Sequence, residues 1–165
     1  MVRRSAKNYG EKQRGAAFVE FVLVLPFFLF IVFLIIALAM MFSFRQAMSQ
    51  AANEGARAAA VAPANATVAE RQAAAQNAIN GALGSQSDIT CTGGALKEGA
   101  TTVGSCTITP PGPCPAPEAA RQCVTVSLVH QYQAHPVVGG IPTNLPGFSF
   151  VIPNQLRISA TARVS

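Results

Sequence analysis

Charge is scarce in this sequence, and the scarcity excludes several kinds of protein. Of 165 residues only 12% are charged, against roughly 25% in ordinary soluble domains. Catalysis and metal binding need clustered polar side chains. Here Glu54, Glu70, Asp88, Glu98 and Glu118 are scattered among helix and loop signals. His130 and His135 lack a nucleophile motif of the G-x-S-x-G kind, and Gly139-Gly140 reads as a turn, not a phosphate loop. None of the four cysteines sits in a C-x-x-C pair of the type used for zinc or redox work. The reading is a non-enzyme with no cofactor. A nucleic-acid role is excluded by distribution: beyond Arg45 six basic residues face five acidic ones, with no basic groove and interleaved aromatics. Internal repeats and low-complexity tails are lacking as well.

What the chain has instead is hydrophobicity, concentrated at one place. Between Ala16 and Phe44 the only charge is Glu20, and Phe21 to Phe42 carries none. About 20 such residues cross a bilayer core, so this run is long enough to span with some tilt. Arg3, Arg4, Lys7, Lys12 and Arg14 precede it, opposed only by Glu11, whereas Arg45 and Arg57, with Glu54, follow it. Basic flanks stay in the cytoplasm, which places the N-terminus inside and the bulk of the chain outside. Ala37-Leu38-Ala39 imitates a signal-peptidase site. The apolar run before it exceeds the 7–15 residues of a signal h-region and continues past it, which favours a retained anchor.

Beyond the span, Arg45 to Ala60 is rich in helix formers, Gly55 excepted. The spacing predicts one helical rod from Ala16 to Ala62, about 70 Å at 1.5 Å per residue, ended by Pro63 and kinked at Pro26. Thr67-Val68-Ala69-Glu70 fits a capping box and opens a second helix to about Leu83, with Gly84 as its stop. Asn65-Ala66-Thr67 matches a glycosylation acceptor but reads better as a turn and an N-cap. From Ser85 the pattern changes to short Thr/Val/Ile/Ser runs, with strands expected at Asp88–Thr92, Val103–Thr109, Cys123–Gln133 and Leu156–Val164. Pro110–Pro115 and Val138–Gly147 read as loops. The expected architecture is α+β: a long N-terminal transmembrane helix continuing outward, a second short helix, and a small antiparallel sheet. The divisions expected are a basic leader (1–15), a span (16–44), outer helices (45–84) and a strand-rich domain (85–165).

Cys91, Cys106, Cys114 and Cys123 all fall in the outward part, where an oxidising compartment favours two disulfides. Three pairings exist. The favoured one joins Cys91 to Cys106, closing a hairpin, and Cys114 to Cys123, closing the proline loop. The alternative use is a metal site drawing on His130 or His135.

The most informative stretch is Arg14-Gly15-Ala16-Ala17-Phe18-Val19-Glu20-Phe21-Val22-Leu23-Val24-Leu25-Pro26. A carboxylate on the first turns of a membrane helix is costly in lipid, about 2.5–3.5 kcal/mol at mid-membrane and less near the interface. Glu20 therefore either lies shallowly at the headgroups or meets a positive partner when subunits pack. A basic tail, a glycine, four apolar residues, a glutamate and an apolar run resemble the opening of type IV pilin-like precursors. More narrowly, the stretch is similar to the start of the TadE-like family of pilus assembly proteins. Weaker likenesses are Asn53-Glu54-Gly55-Ala56-Arg57, a late strand with Val124, Val126 and Tyr132, and the ending Ala160-Thr161-Ala162-Arg163. The resemblance covers the first 60 residues well, the last 45 loosely, and the cysteine-bearing middle not at all.

The resemblance implies a pseudopilin or minor pilin of a bacterial Tad/Flp-type pilus system. It implies cutting between Gly15 and Ala16 by a prepilin peptidase, and assembly with other pilin-like subunits through Glu20. The implied setting is the inner membrane, with the C-terminal domain periplasmic. Phe21 stands where Flp pilins usually carry tyrosine and TadE-like members often carry phenylalanine, which points away from a major pilin. Ala47, Ala51, Gly55 and Ala59 recur every four residues and suit close packing, either against neighbouring subunits or against the chain's own strands. The competing function is an uncut single-pass protein with an extracytoplasmic binding or sensor domain.

Overall fold

A computed structural model of the chain describes residues 10–85, 87–137 and 153–164. Its elements are α1 (Gly10–Val61), α2 (Val68–Leu83), β1 (Ile89–Thr92), β2 (Ala95–Glu98), β3 (Thr101–Ile108), β4 (Gly112–Pro113), β5 (Gln122–His130) and β6 (Leu156–Arg163). The chain divides into two compact units, one up to residue 39 and one from residue 40.

The first unit is helical. α1 starts at Gly10 and not at Ala16, because Glu11, Lys12, Gln13 and Arg14 are good helix formers and nothing separates them from the apolar run. From Phe18 to Ile36 most of its large side chains stand exposed, Phe18 at 67% and Phe27 at 68%. Pro26 lies inside the helix. Having no N–H, it leaves the Val22 carbonyl without its usual partner four residues on.

The second unit is a two-layer α+β structure. All strand pairs are antiparallel, in the order β1-β2-β3-β5, with β6 also on β5 and the short β4 pairing β5 beyond β3. Alternation along β5 buries Val124, Val126, Leu128 and His130 on one face and leaves Thr125, Ser127 and Val129 partly exposed. That half-wet pattern suits an antiparallel sheet covered on a single side. The cover is helical: Ala59 of α1, Ala75 of α2 and Val124 of β5 share one core cluster.

The small residues of α1 are explained by this packing. Ala47, Met48, Ala51, Ala52, Ala56, Ala59 and Ala60 are buried. A Cβ on Gly55 would lie 2.6 Å from Cγ1 of Ile79, so α2 sits where no side chain fits. Of the two uses open for the face Ala47, Ala51, Gly55 and Ala59, the structure takes the internal one, and the covering element includes α2 as well as a strand.

α2 opens with the expected capping box. The Glu70 N–H donates to Thr67 Oγ1 at 3.3 Å and the Thr67 N–H donates to Glu70 Oε2 at 2.7 Å. Disulfides join Cys91 to Cys106 and Cys114 to Cys123. The first ties β1 to β3 and the second holds the proline loop on β5.

Several expectations need correction. β2 falls in a stretch not read as a strand, and Gly112–Pro113, read as loop, forms β4. β5 ends at His130 and not at Gln133, since a turn brings the Tyr132 N–H to the His130 carbonyl at 3.0 Å. Tyr132 is therefore buried beyond the strand. The expected loop Val138–Gly147 lies outside the described residues.

Candidate functional site

Gly15 and Ala16 fall in the early turns of α1, and Glu20 follows Ala16 by four residues, about 6 Å along the axis. Glu20 is exposed, as are Phe18, Val19, Phe21, Val22, Leu23 and Val24 around it. Phe18, Val19, Val22, Leu23, Pro26 and Phe27 line one shallow apolar depression. A segment with mean hydropathy 3.3 in its most apolar window, only 6% of that window buried, is a surface for lipid or for other apolar helices. Among the described residues this is one helix long and apolar enough to cross a membrane, compatible with a single pass.

A second arrangement, within the unit from residue 40, joins the outer part of α1 to the sheet. Phe44, the last residue of the expected span, is buried against His130, ring centroids 4.9 Å apart and planes at 71°. Tyr132 completes the group, 6.2 Å from Phe44 and 6.1 Å from His130. Behind the histidine, β3 bulges: Leu96 pairs Gly104 but Lys97 pairs Thr102, which leaves Val103 extra. Gly104 then lies so close to β5 that a Cβ there would collide with the Val129 carbonyl.

His130 is 1% exposed, and neither ring nitrogen has a hydrogen-bond partner among the described residues. Burial, helped by the nearby charge of His135, lowers its pKa from 6.5 to about 4. It is a neutral core ring at the last position of β5. Burial likewise raises the Tyr132 phenol. All four cysteines are in disulfides, so none offers a thiolate to a metal. No group of three or more His, Cys, Asp or Glu gathers as a metal site among the described residues.

Arg71 is a structural anchor that the sequence reading passed over. It is 6% exposed, and its guanidinium donates to the Ala59 carbonyl at 3.0 Å and the Pro63 carbonyl at 2.8 Å. The last turn of α1 carries no basic residue of its own. Arg71 supplies from α2 the cation and donors that a helix C-terminus favours. The available signal was an arginine one turn into a helix otherwise dominated by alanine, just after a proline-terminated helix.

These features define a class: a chain with one long, exposed apolar helix segment and a small disulfide-bonded α+β unit. Comparison with known families narrows it. Residues 15–57 match the model of the family described as TadE-like protein. The similarity covers the segment holding Gly15, Ala16 and Glu20. Comparisons with curated proteins and with solved structures give no match.

Proposed function

We propose that this chain is a structural or assembly subunit, a pseudopilin or minor pilin, of a bacterial Tad/Flp-type pilus. In this reading residues 1–15 are a cytoplasmic leader, the span expected at 16–44 crosses the inner membrane with Phe44 at its outer end already packed in the periplasmic core, and 45–84 and 85–165 form the periplasmic helices and strand-rich domain. A prepilin peptidase cuts between Gly15 and Ala16. The observation that carries the reading is Glu20, exposed on an exposed apolar helix, five residues after Gly15 and inside the family-matched segment.

Cleavage would free the α-amino group of Ala16 one helical turn from Glu20. In a helix bundle the carboxylate of one subunit then pairs with the ammonium of the next. Burying either charge alone is expensive, so the pair sets axial register between neighbours. Internal use of the Ala47–Ala59 face supports assigning intersubunit packing to exposed side chains of the apolar segment, such as Phe18, Phe21, Phe27, Phe28 and Phe33.

The test is Glu20→Gln in cells lacking other copies of the gene. The variant is expected to insert and be cut normally but to lose co-purification with pilus partners and reduce piliation. Normal piliation by a stably expressed variant would show that Glu20 is only a shallow, solvated carboxylate.

A further inference from the structure

The two outer edges of the sheet are treated differently. At one end, Asn80 of α2 closes the edge of β1: its Oδ1 accepts the Cys91 N–H at 2.6 Å and its Nδ2 donates to the Cys91 carbonyl at 3.3 Å. That bidentate contact occupies the backbone groups a further strand would need. At the other end lies β6, twice as long, with no comparable cover among the described residues.

The ladder shows which groups β6 leaves open. Val164 continues it by donating to the Gln122 carbonyl at 2.9 Å. In an antiparallel pair hydrogen-bonded residues alternate, so the even-numbered residues of β6 bond to β5. Parity on β5 agrees, since Thr125 turns the other way and accepts the Thr109 N–H at 2.9 Å. The N–H and C=O groups of Arg157, Ser159, Thr161 and Arg163 therefore point away from the sheet, and all four residues are exposed. An open row of this kind is a template for one more strand.

Charge selects the occupant. β5 carries no acidic or basic residue apart from His130, and β6 carries only Arg157 and Arg163. Glu118 lies 3.7 Å from Arg163, but both side chains are about half exposed and such pairs hold weakly. A second copy of β6 running antiparallel about the strand centre would set Arg157 opposite Arg163, and like charges facing across strands destabilise. We propose that the β6 edge is a strand-addition site for an extended partner segment with acidic residues opposite Arg157 and Arg163. This inference stands apart from the pilus reading, because it rests on the sheet alone.

The experiment uses the full chain in detergent micelles and a capped peptide, Asp-Thr-Val-Thr-Val-Thr-Asp, at millimolar concentration. The readout is residue-resolved amide exchange. In the free protein the amides of Arg157, Ser159, Thr161 and Arg163 should exchange freely while those of Ile158, Ala160 and Ala162 are protected. The peptide should slow the first set several-fold, and a version with lysine at both ends should not. Arg157→Glu combined with Arg163→Glu should reverse that preference. Ser159→Pro should keep the fold, because its N–H faces outward, and should abolish the peptide effect. Protection of the odd-numbered amides before peptide is added, equal protection by the lysine peptide, an unreversed preference in the double variant, or unfolding by Ser159→Pro would each overturn the proposal.

Discussion

Replacing His130 with leucine should make the protein less sensitive to acid without weakening it at neutral pH. His130 is 1% exposed beside Phe44 and Tyr132, with both ring nitrogens unpartnered among the described residues. Its pKa falls from 6.5 to about 4 in the folded state, with burial as the chief cause. The unfolded chain therefore takes up a proton near pH 6.5 that the folded chain refuses until about pH 4. Stability is complete above the unfolded value, declines as pH falls through this window, and levels off below it. At 1.36 kcal/mol per pKa unit the loss is ~3 kcal/mol. Urea unfolding of the full chain in mild detergent, at a series of pH values from 7.5 to about 4, measures it. Other groups add their own acid dependence, among them Glu70, whose pKa is lowered by hydrogen bonds from Thr67. The difference between wild type and His130→Leu cancels them. The variant should match or exceed wild type at pH 7.5, because leucine has a similar volume and no polar atom left unpaired, and the gap should widen by ~3 kcal/mol toward pH 4. Parallel curves at every pH would refute a buried, neutral His130.

Arg71→Met keeps most of the apolar stem but removes the donors to Ala59 and Pro63. Hydrogen bonds from charged groups are worth ~1.5–3 kcal/mol each, so losing both should lower the urea midpoint by the equivalent of ~3–6 kcal/mol, and Arg71→Lys should recover only part of it. The protein as isolated should yield no alkylatable thiol. Removing Cys91–Cys106, whose ends are 15 residues apart, by double alanine substitution should cost ~3 kcal/mol on the loop-entropy estimate, measured by the same titration.

How much of this was legible depends on where the physics is local. The capping box at Thr67 and Glu70 involves residues three apart, and the Val124–Val126–Leu128 alternation repeats every second residue, so both could be read directly. The long helix could also be read, because lipid exposure demands apolarity on every side of it. β2 could not be read from propensity: Ala95-Leu96-Lys97-Glu98 is composed of helix formers. It becomes a strand because Gly93 and Gly94, both at positive φ, turn the chain back onto β1. That Gly-Gly pair was the unused signal. Phe44 looks like membrane residue in sequence, but contact with His130, 86 positions away in the chain, makes it core. The Ala47–Ala59 face had two uses that composition alone could not separate, and the position of Ile79 separates them. Arg71 became meaningful only once α2 folded against the end of α1. The features that were missed depend on long-range contacts or on a turn that redirects the chain.

The central proposal is that the chain is processed at Gly15 and assembled through the apolar part of α1 that follows it. Intact-mass and N-terminal peptide analysis of the protein extracted from its native membrane tests this most directly. The account predicts a mature chain beginning at Ala16, and a Gly15→Val variant that retains residues 1–15. A native protein that keeps Met1 and runs at the same size as the Gly15→Val variant would contradict it.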